Sequence, residues 1–370
     1  LGDVYKRQGF QHTERGTPSP CIGEVVIKVH AASLNFRDFM IAKGLYNPNI
    51  ELPLVPLSDG AGEVVSVGND VTEFNVGDRV MSVFWQDWNE NNSNRMVSTG
   101  SDAGGVLTEY AVLPKEAILP IPEYMTYQEA STMPCAAVTA WTCIKAAKIG
   151  PGDTVLLLGT GGVSVLALQI LKAMQANVII TSSSNDKLKK AVELGADHAI
   201  NYNENPEWGS EAFSLSNGGV NLVIEIGGES TFPQTLNALR IGGHISVIGA
   251  LGGINVELNL MQMVFKNVHV HGITVGSRED HMELNNFLEQ HEIHPVIGKT
   301  VSIDKAINEI PKQIATIGSL ASGDMAKISN PPQAITALIR IAITTIGIID
   351  IPYSMVSPRF IANFLFGFWT

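Results

Sequence analysis

Residues 154–170 read TVLLLGTGGVSVLALQI, and this stretch decides the fold. Val155 to Leu158 form a short apolar run rich in branched residues, the pattern of a buried parallel strand. Val163, Leu166, Ala167 and Ile170 then recur at helical spacing within a few residues of its end. Between the two lie Gly159, Gly161 and Gly162. A strand, a glycine-rich turn and a helix N-terminus together make a phosphate cradle: glycine lets backbone come close to an anion, and unpaired amides and the helix dipole face it. Ser164 replaces the third glycine of the dinucleotide fingerprint, so on the motif alone an ordinary loop stays open beside a cofactor turn.

A second strand of the same unit follows at Asn177 to Thr181, then Ser182, Ser183 and Ser184 and a helix over about Asp186 to Leu194. At the end of that strand a dinucleotide site normally places Asp or Glu against the adenine ribose; here stands Ser182. A carboxylate would repel a 2'-phosphate, whereas serine with nearby Lys187 can accept one, so NADP(H) is expected over NAD. The alternative is a hydroxyl-rich turn that caps the next helix.

Composition bounds the rest. A chain of 370 residues calls for two domains with sizeable cores. Its net charge of -12 argues against nucleic acid or an anionic membrane as partner. Three cysteines, Cys21, Cys135 and Cys143, cannot build a disulfide framework, and no signal peptide opens the chain, so a reducing, cytoplasmic setting is expected. Residues 1–20 lack an initiator Met and any clear periodicity, and look like an incomplete or foreign beginning.

Upstream of the glycine turn, Gly23 to Ala31, Ala61 to Val67, Asp78 to Phe84 and Leu107 to Val112 are short extended segments with glycine and proline turns, which indicates a small β domain. From about Glu123 the stretch MTYQEASTMPCAAVTAWTCIKAAKI is apolar at helical spacing. Downstream, His198 to Tyr202, Leu222 to Ile226, His244 to Gly249 and Val268 to Thr274 complete six strand candidates alternating with helices, a doubly wound α/β sheet.

The motifs NFRD at 35–38, SDGAGEVVSVG at 58–68, GDRV at 77–80, MPCAAVTAW at 133–141, GTGGVS at 159–164 and LGADHAINY at 194–202 resemble the medium-chain dehydrogenase/reductase superfamily, and within it the zinc-free, quinone oxidoreductase-like branch. The resemblance covers roughly Gly23 to Thr300. It implies a GroES-like, β-rich catalytic domain over 1–122 and 275–330, a Rossmann NADP-binding domain over 123–274, and hydride transfer involving a nicotinamide at the cleft between them. Dimers are common in such families, so a homodimer is expected.

Zinc members of the superfamily hold their ion at positions matching Asn35, Ser58 and Cys135. One thiolate without partners cannot satisfy four-coordinate zinc, and the insert from Trp85 to Gly105 carries no Cys or His, so no metal is expected. His269 and His271 share a strand face with no third ligand and are expected to be structural. Without a Lewis acid, a conjugated carbonyl or quinone that spreads its own charge is a more suitable substrate than a simple alcohol. Candidate hydrogen-bond donors are the amide of Asn35 and the phenol of Tyr46, with Asp38 orienting them or relaying a proton; the family keeps Asn, Asp and Tyr at the matching positions. Equally, Asn35 and Asp38 suit the cap of a short helix entering at Phe36. Met40 stands where the family often has a further Tyr.

The resemblance also carries cofactor positions. Thr139 matches the residue packed against the nicotinamide, Lys187 and Tyr202 match the pair flanking a 2'-phosphate, and Gly249 and the run from Gly272 to Arg278 match backbone lining the nicotinamide. With Gly159, Gly161, Gly162, Val163 and Ser182 these make the expected cofactor site. The C-terminal end departs: LASGDMAKIS at 320–329 is an imperfect family motif, and 331–370 reads as an atypical, foreign or frame-shifted tail, or as a membrane-surface or partner-binding helix. The expected function is a zinc-independent oxidoreductase moving a hydride between NADPH and a small apolar carbonyl, enone or quinone. The alternatives are an alcohol dehydrogenase running oxidatively and a non-catalytic NADPH-binding scaffold or sensor.

Overall fold

The computed structural model describes residues 13–47, 49–88, 97–302, 347–349 and 363–365. The chain forms two compact units; it leaves the first after Val138 and returns to it after Val275.

The first unit opens with β1 (Glu24–Leu34), α1 (Phe36–Ala42), β2 (Asp59–Val67), β3 (Arg79–Ser82), β4 (Tyr110–Pro114) and β5 (Ile118–Pro120). β1 pairs antiparallel with both β2 and β4, and the sheet continues through β3 to β5. Val25, Val26, Ile27, Val29 and Leu34 of β1 are all buried, each large side chain stabilising the fold by roughly 1.5–3 kcal/mol.

The helix expected from Met125 onward is interrupted. A capping box between Thr126 and Glu129 starts α2 (Tyr127–Ala130), a π turn covers Met133–Ala137, and α3 (Val138–Ala146) follows. Pro134 is the cause: it has no N–H to give the preceding turn, and its ring excludes a regular helix there.

The second unit holds β6 (Thr154–Leu157), α4 (Gly162–Ala173), β7 (Asn177–Ser182), α5 (Asn185–Glu193), β8 (His198–Asn201), α6 (Trp208–Leu215), β9 (Val220–Glu225), α7 (Phe232–Ala238), β10 (Leu239–Val247), α8 (Leu260–Lys266) and β11 (His269–Gly272). Its strand order is β11-β10-β9-β6-β7-β8 with every neighbouring pair parallel, the doubly wound α/β sheet that the strand candidates predict. Leu156, Ile179, Val223 and Ile245 are buried at its centre. On β11, His269 and His271 share a face; His244 of β10 joins them, its Nδ1 2.9 Å from Nε2 of His271 and its ring stacked 4.8 Å from that of His269.

Beyond Val275 come α9 (Arg278–His291) and β12 (Lys299–Ser302). Two short strands, β13 (Gly347–Ile349) and β14 (Asn363–Leu365), each pair with β1 and with β12. The 320–329 motif and residues 1–12 lie outside the described residues, as does most of 331–370. Among the described residues no helix is long and apolar enough to cross a membrane.

Candidate active site

The phosphate cradle lies in the second unit, where β6 ends. Gly159 adopts φ +71°, a conformation costly for any residue with a Cβ, and its N–H donates to Thr181 Oγ1 at 3.2 Å. α4 begins at Gly162 with Gly161 as its N-cap and no side chain capping the first amides, so the amides of Gly161, Gly162 and Val163 are left for a ligand. Thr160 Oγ1 is buried without a hydrogen-bond partner, a costly arrangement that an anion at the turn would relieve. Ser164, in place of the third glycine, donates from Oγ to the Leu158 carbonyl at 2.9 Å and so ties helix to strand. The turn therefore fits a dinucleotide pyrophosphate.

At the ribose end the serines divide their roles. Ser182 is fully buried and its Oγ accepts the Ser184 N–H at 3.3 Å. Ser184 in turn caps α5, accepting from the Lys187 N–H. The half-buried Ser183 and Lys187 are thus the hydroxyl and the cation left open to solvent beside that strand end. Burial pushes the Lys187 amine down, and Lys190 adds to it, a state that a bound phosphate would offset. Tyr202 packs partly against the core, its N–H on the Ser182 carbonyl at 3.2 Å.

Thr139 is buried at the start of α3, Gly249 lies just beyond β10, and Gly272 ends β11. Arg278 opens α9 in the first unit, and its guanidinium is engaged there: Nε donates to the Glu116 carbonyl at 2.9 Å and Nη2 to that of Ile118 at 3.4 Å. It fastens α9 to the β4–β5 turn, a duty the sequence did not announce.

A buried polar cluster occupies the first unit at the start of α1. Asn35 is the N-cap: its N–H donates to Asp38 Oδ2 at 2.8 Å, and the Asp38 N–H donates to the Asn35 carbonyl at 3.0 Å. The side-chain amide nitrogen of Asn35 is buried and makes no hydrogen bond of full geometry. Capping by backbone and a buried side-chain amide turned to Asp59 thus coexist at one residue. Burial raises the Asp38 carboxyl to about 6, against the pull of Arg37, whose Nη1 stands 3.8 Å from Oδ1. Arg37 is itself buried: it donates to the Thr99 carbonyl at 2.7 Å and Ser98 Oγ at 3.2 Å, and its guanidinium lies 5.0 Å from the Tyr46 ring and 4.6 Å from that of Phe84. Partial burial raises the Tyr46 phenol above its usual value, with Arg37 opposing.

Asp59 completes the cluster and was missed at the level of sequence. It is fully buried at the start of β2; Oδ1 accepts from Ser58 Oγ at 2.5 Å and Oδ2 from the Cys135 N–H at 3.0 Å. Burial pushes its carboxyl up to about 7, and Asp38 adds to the rise while Ser58 and Asn35 resist it. The signal was present in SDGAGEVVSV, a carboxylate opening a strand otherwise made for burial.

The donor set does not fit zinc. The Ser58 hydroxyl is spent on Asp59 and Asn35 offers a neutral amide, which leaves Cys135 as the one thiol among the three positions. Among the described residues no three His, Cys, Asp or Glu side chains gather as a metal site.

Comparison with known proteins agrees with both units. The profile of the alcohol dehydrogenase GroES-like domain matches residues 22–123 and that of zinc-binding dehydrogenase matches residues 162–290. A zinc-type alcohol dehydrogenase-like protein of Schizosaccharomyces pombe is 42% identical over 314 residues, 82% of this chain and 90% of the relative. An acryloyl-coenzyme A reductase of Metallosphaera sedula is 29% identical over 310 residues, 81% and 91% of the two chains. A crystal structure from Sinorhizobium meliloti, assigned as an alcohol dehydrogenase, superposes with a TM-score of 0.75 at 35% identity, covering 83% of this chain and 91% of that one.

Proposed function

Because this chain belongs to the medium-chain dehydrogenase/reductase superfamily and is one of its oxidoreductases, we propose that it reduces a small apolar carbonyl, enone or quinone with NADPH and without zinc. The observation that carries this is the buried Asn35 amide nitrogen, which makes no hydrogen bond of full geometry and lies against the Asp59 carboxyl that it holds down. It does what an ion would otherwise do, stabilising negative charge on the substrate oxygen. The bound nicotinamide would supply the hydride.

The chain's own residues do the rest. Amides at Gly161, Gly162 and Val163 hold the pyrophosphate, and Ser183 with Lys187 binds the 2'-phosphate. Asp59, with its carboxyl raised to about 7, keeps a proton near neutral pH and serves as the acid store of the cluster, with Ser58 as its hydrogen-bonded neighbour. Arg37 keeps Asp38 the ionised member of the two. The relative named for acryloyl-coenzyme A supports an activated double bond as substrate. The name of the Schizosaccharomyces pombe relative favours a second reading, alcohol oxidation, in which Asp59 accepts the proton instead.

The protein is proposed to act as a homodimer in the cytoplasm. α8 buries none of its residues and exposes Leu260, Val264 and Phe265, next in sequence to edge strand β11. Cys21, Cys135 and Cys143 form no disulfide, which suits a reducing compartment.

The experiment is a panel of enones, quinones, aldehydes and alcohols, assayed with both nicotinamide cofactors after treatment with a chelator. NADPH consumption with conjugated acceptors, undiminished by the chelator, is expected. Activity that appears only on adding zinc, or only as alcohol oxidation, would overturn the proposal.

A further inference from the structure

β6 and β9 are neighbours at the point where the strand order reverses, and ligands of open α/β sheets bind in the crevice at the carboxyl ends of such strands. The cradle at Gly159–Val163 forms the β6 side of that crevice. On the β9 side stands Glu225, whose side chain is fully buried. Its Oε1 accepts from the Gly227 N–H at 2.7 Å, the Gly228 N–H at 3.0 Å and Thr231 Oγ1 at 2.6 Å, and its Oε2 accepts from the Thr235 hydroxyl. Four neutral donors converge on one buried carboxylate.

The turn folded around Glu225 grips a second loop. The Ile248 N–H donates to the Glu225 carbonyl at 3.0 Å, Leu251 N–H to that of Ile226 at 3.0 Å, Gly252 N–H to that of Gly227 at 2.6 Å, and Glu229 N–H to that of Gly253 at 3.0 Å. The approach is so close that a Cβ at Gly228 would strike the Gly253 carbonyl, and one at Gly252 the Ser230 side chain. Segments 226–231 and 249–253 are therefore bonded backbone to backbone, and the carboxylate sets the shape of the first. Closing a surface turn does not require a buried carboxylate, which is costly unless fully satisfied. Holding backbone to a fraction of an ångström beside a ligand is a use that offsets that cost.

We propose that Glu225 is a positioning residue for the nicotinamide half of the cofactor, its carboxylate locking loops 226–231 and 249–253 into one wall of the crevice. The assignment rests on the reading that this crevice takes NADPH. The wall lies across the switch point from the pyrophosphate cradle and away from Ser183 and Lys187, which follow β7 on the other side of β6. Loosening the wall should therefore touch the nicotinamide end of the dinucleotide and leave the phosphoadenosine end alone.

The test measures equilibrium binding of two probes, NADPH and 2'-phosphoadenosine diphosphoribose, which lacks the nicotinamide, to the unmodified protein, to Glu225→Gln and to Thr231→Val. Thr231→Val removes one donor only and serves if the first variant fails to fold. NADPH affinity is expected to fall about tenfold in Glu225→Gln, and less in Thr231→Val, while the fragment's affinity stays within about twofold. Equal weakening of both probes would make Glu225 a structural residue and overturn the assignment, as would unchanged binding of both. If neither probe binds the unmodified protein, the cofactor reading fails and the assignment falls with it.

Discussion

Oδ2 of Asp59 accepts the backbone amide of Cys135 at 3.0 Å, across 76 positions of sequence. That bond joins the start of β2 to the π turn after α2 and commits a carboxyl to a site where Arg37, the nearby cation, stands by Asp38 instead. Burial therefore raises the Asp59 carboxyl with no cation beside it, among the described residues, to oppose the rise.

Stability should report this directly. An ordinary Asp side chain titrates at 3.8, while Asp59 is held up to about 7 in the folded chain. Below the lower value both states are protonated; between the two the unfolded chain ionises and the folded one does not. Asp59 thus favours folding less as pH rises through this window, by up to about 1.4 kcal/mol per pH unit, and adds no further slope above it. Asp59→Asn should remove that slope in denaturant titrations run across the window. A pH dependence identical to that of the unmodified protein would show that Asp59 ionises normally.

Asn35→Ala separates catalysis from capping. The cap is made by the backbone N–H and carbonyl of Asn35, which alanine also has, so less than about 1 kcal/mol of stability should be lost. Turnover should fall roughly 10²- to 10³-fold, about 3–4 kcal/mol, with NADPH affinity unchanged. Preserved turnover with a lowered melting temperature would return Asn35 to a purely structural role and leave Tyr46 as the donor.

Cofactor choice should hinge on Ser183 and Lys187. Ser182 is fully buried, so Ser182→Asp would place a carboxylate inside the protein and confound the measurement. Ser183→Asp puts the charge at the half-buried surface, where two unit charges ~4 Å apart repel by about 1–4 kcal/mol. The NADPH to NADH preference should drop at least about tenfold in binding titrations. Equal affinity for both cofactors in the unmodified protein would contradict the proposal.

The exposed face of α8 predicts a two-chain assembly. Met261 and Phe265 stand one turn apart, 54% and 74% exposed, and Leu260 and Val264 one turn apart beside them, a patch seldom left open on a monomer. Sedimentation of the unmodified protein should give twice the chain mass, and Phe265→Glu should give one. A monomer from the start would dismiss the dimer.

Much of the second unit was legible because periodicity and glycine placement act locally. The run from Val155 to Leu158, the glycine turn and the helix after it form as read. Less of the polar cluster could be read, because its chemistry depends on which distant backbone meets a side chain. NFRD indicated a helix cap, but burial of Arg37 between Tyr46 and Phe84 needs three separate segments to converge. Asp59 acquires its character from Ser58 and Cys135 together with burial. Pro134 carried a visible break signal that apolar periodicity outweighed, and the carbonyl partners of the Arg278 guanidinium lie too far along the chain to be foreseen.

The excursion of the chain between Val138 and Val275 also sets an order of events during synthesis. The parallel sheet is encoded by one uninterrupted stretch, so it can complete itself as soon as that stretch leaves the ribosome. The first unit must wait. Tyr124 Oη sits 3.0 Å from the Leu288 carbonyl and 2.9 Å from that of Ile293, and His294 Nδ1 lies 2.7 Å from Glu129, partners that are translated more than 160 residues later. Nascent chains halted with Val275 just clear of the ribosome and Leu288 still inside it should therefore carry a protease-resistant second unit attached to a first unit still open to cleavage near Tyr124.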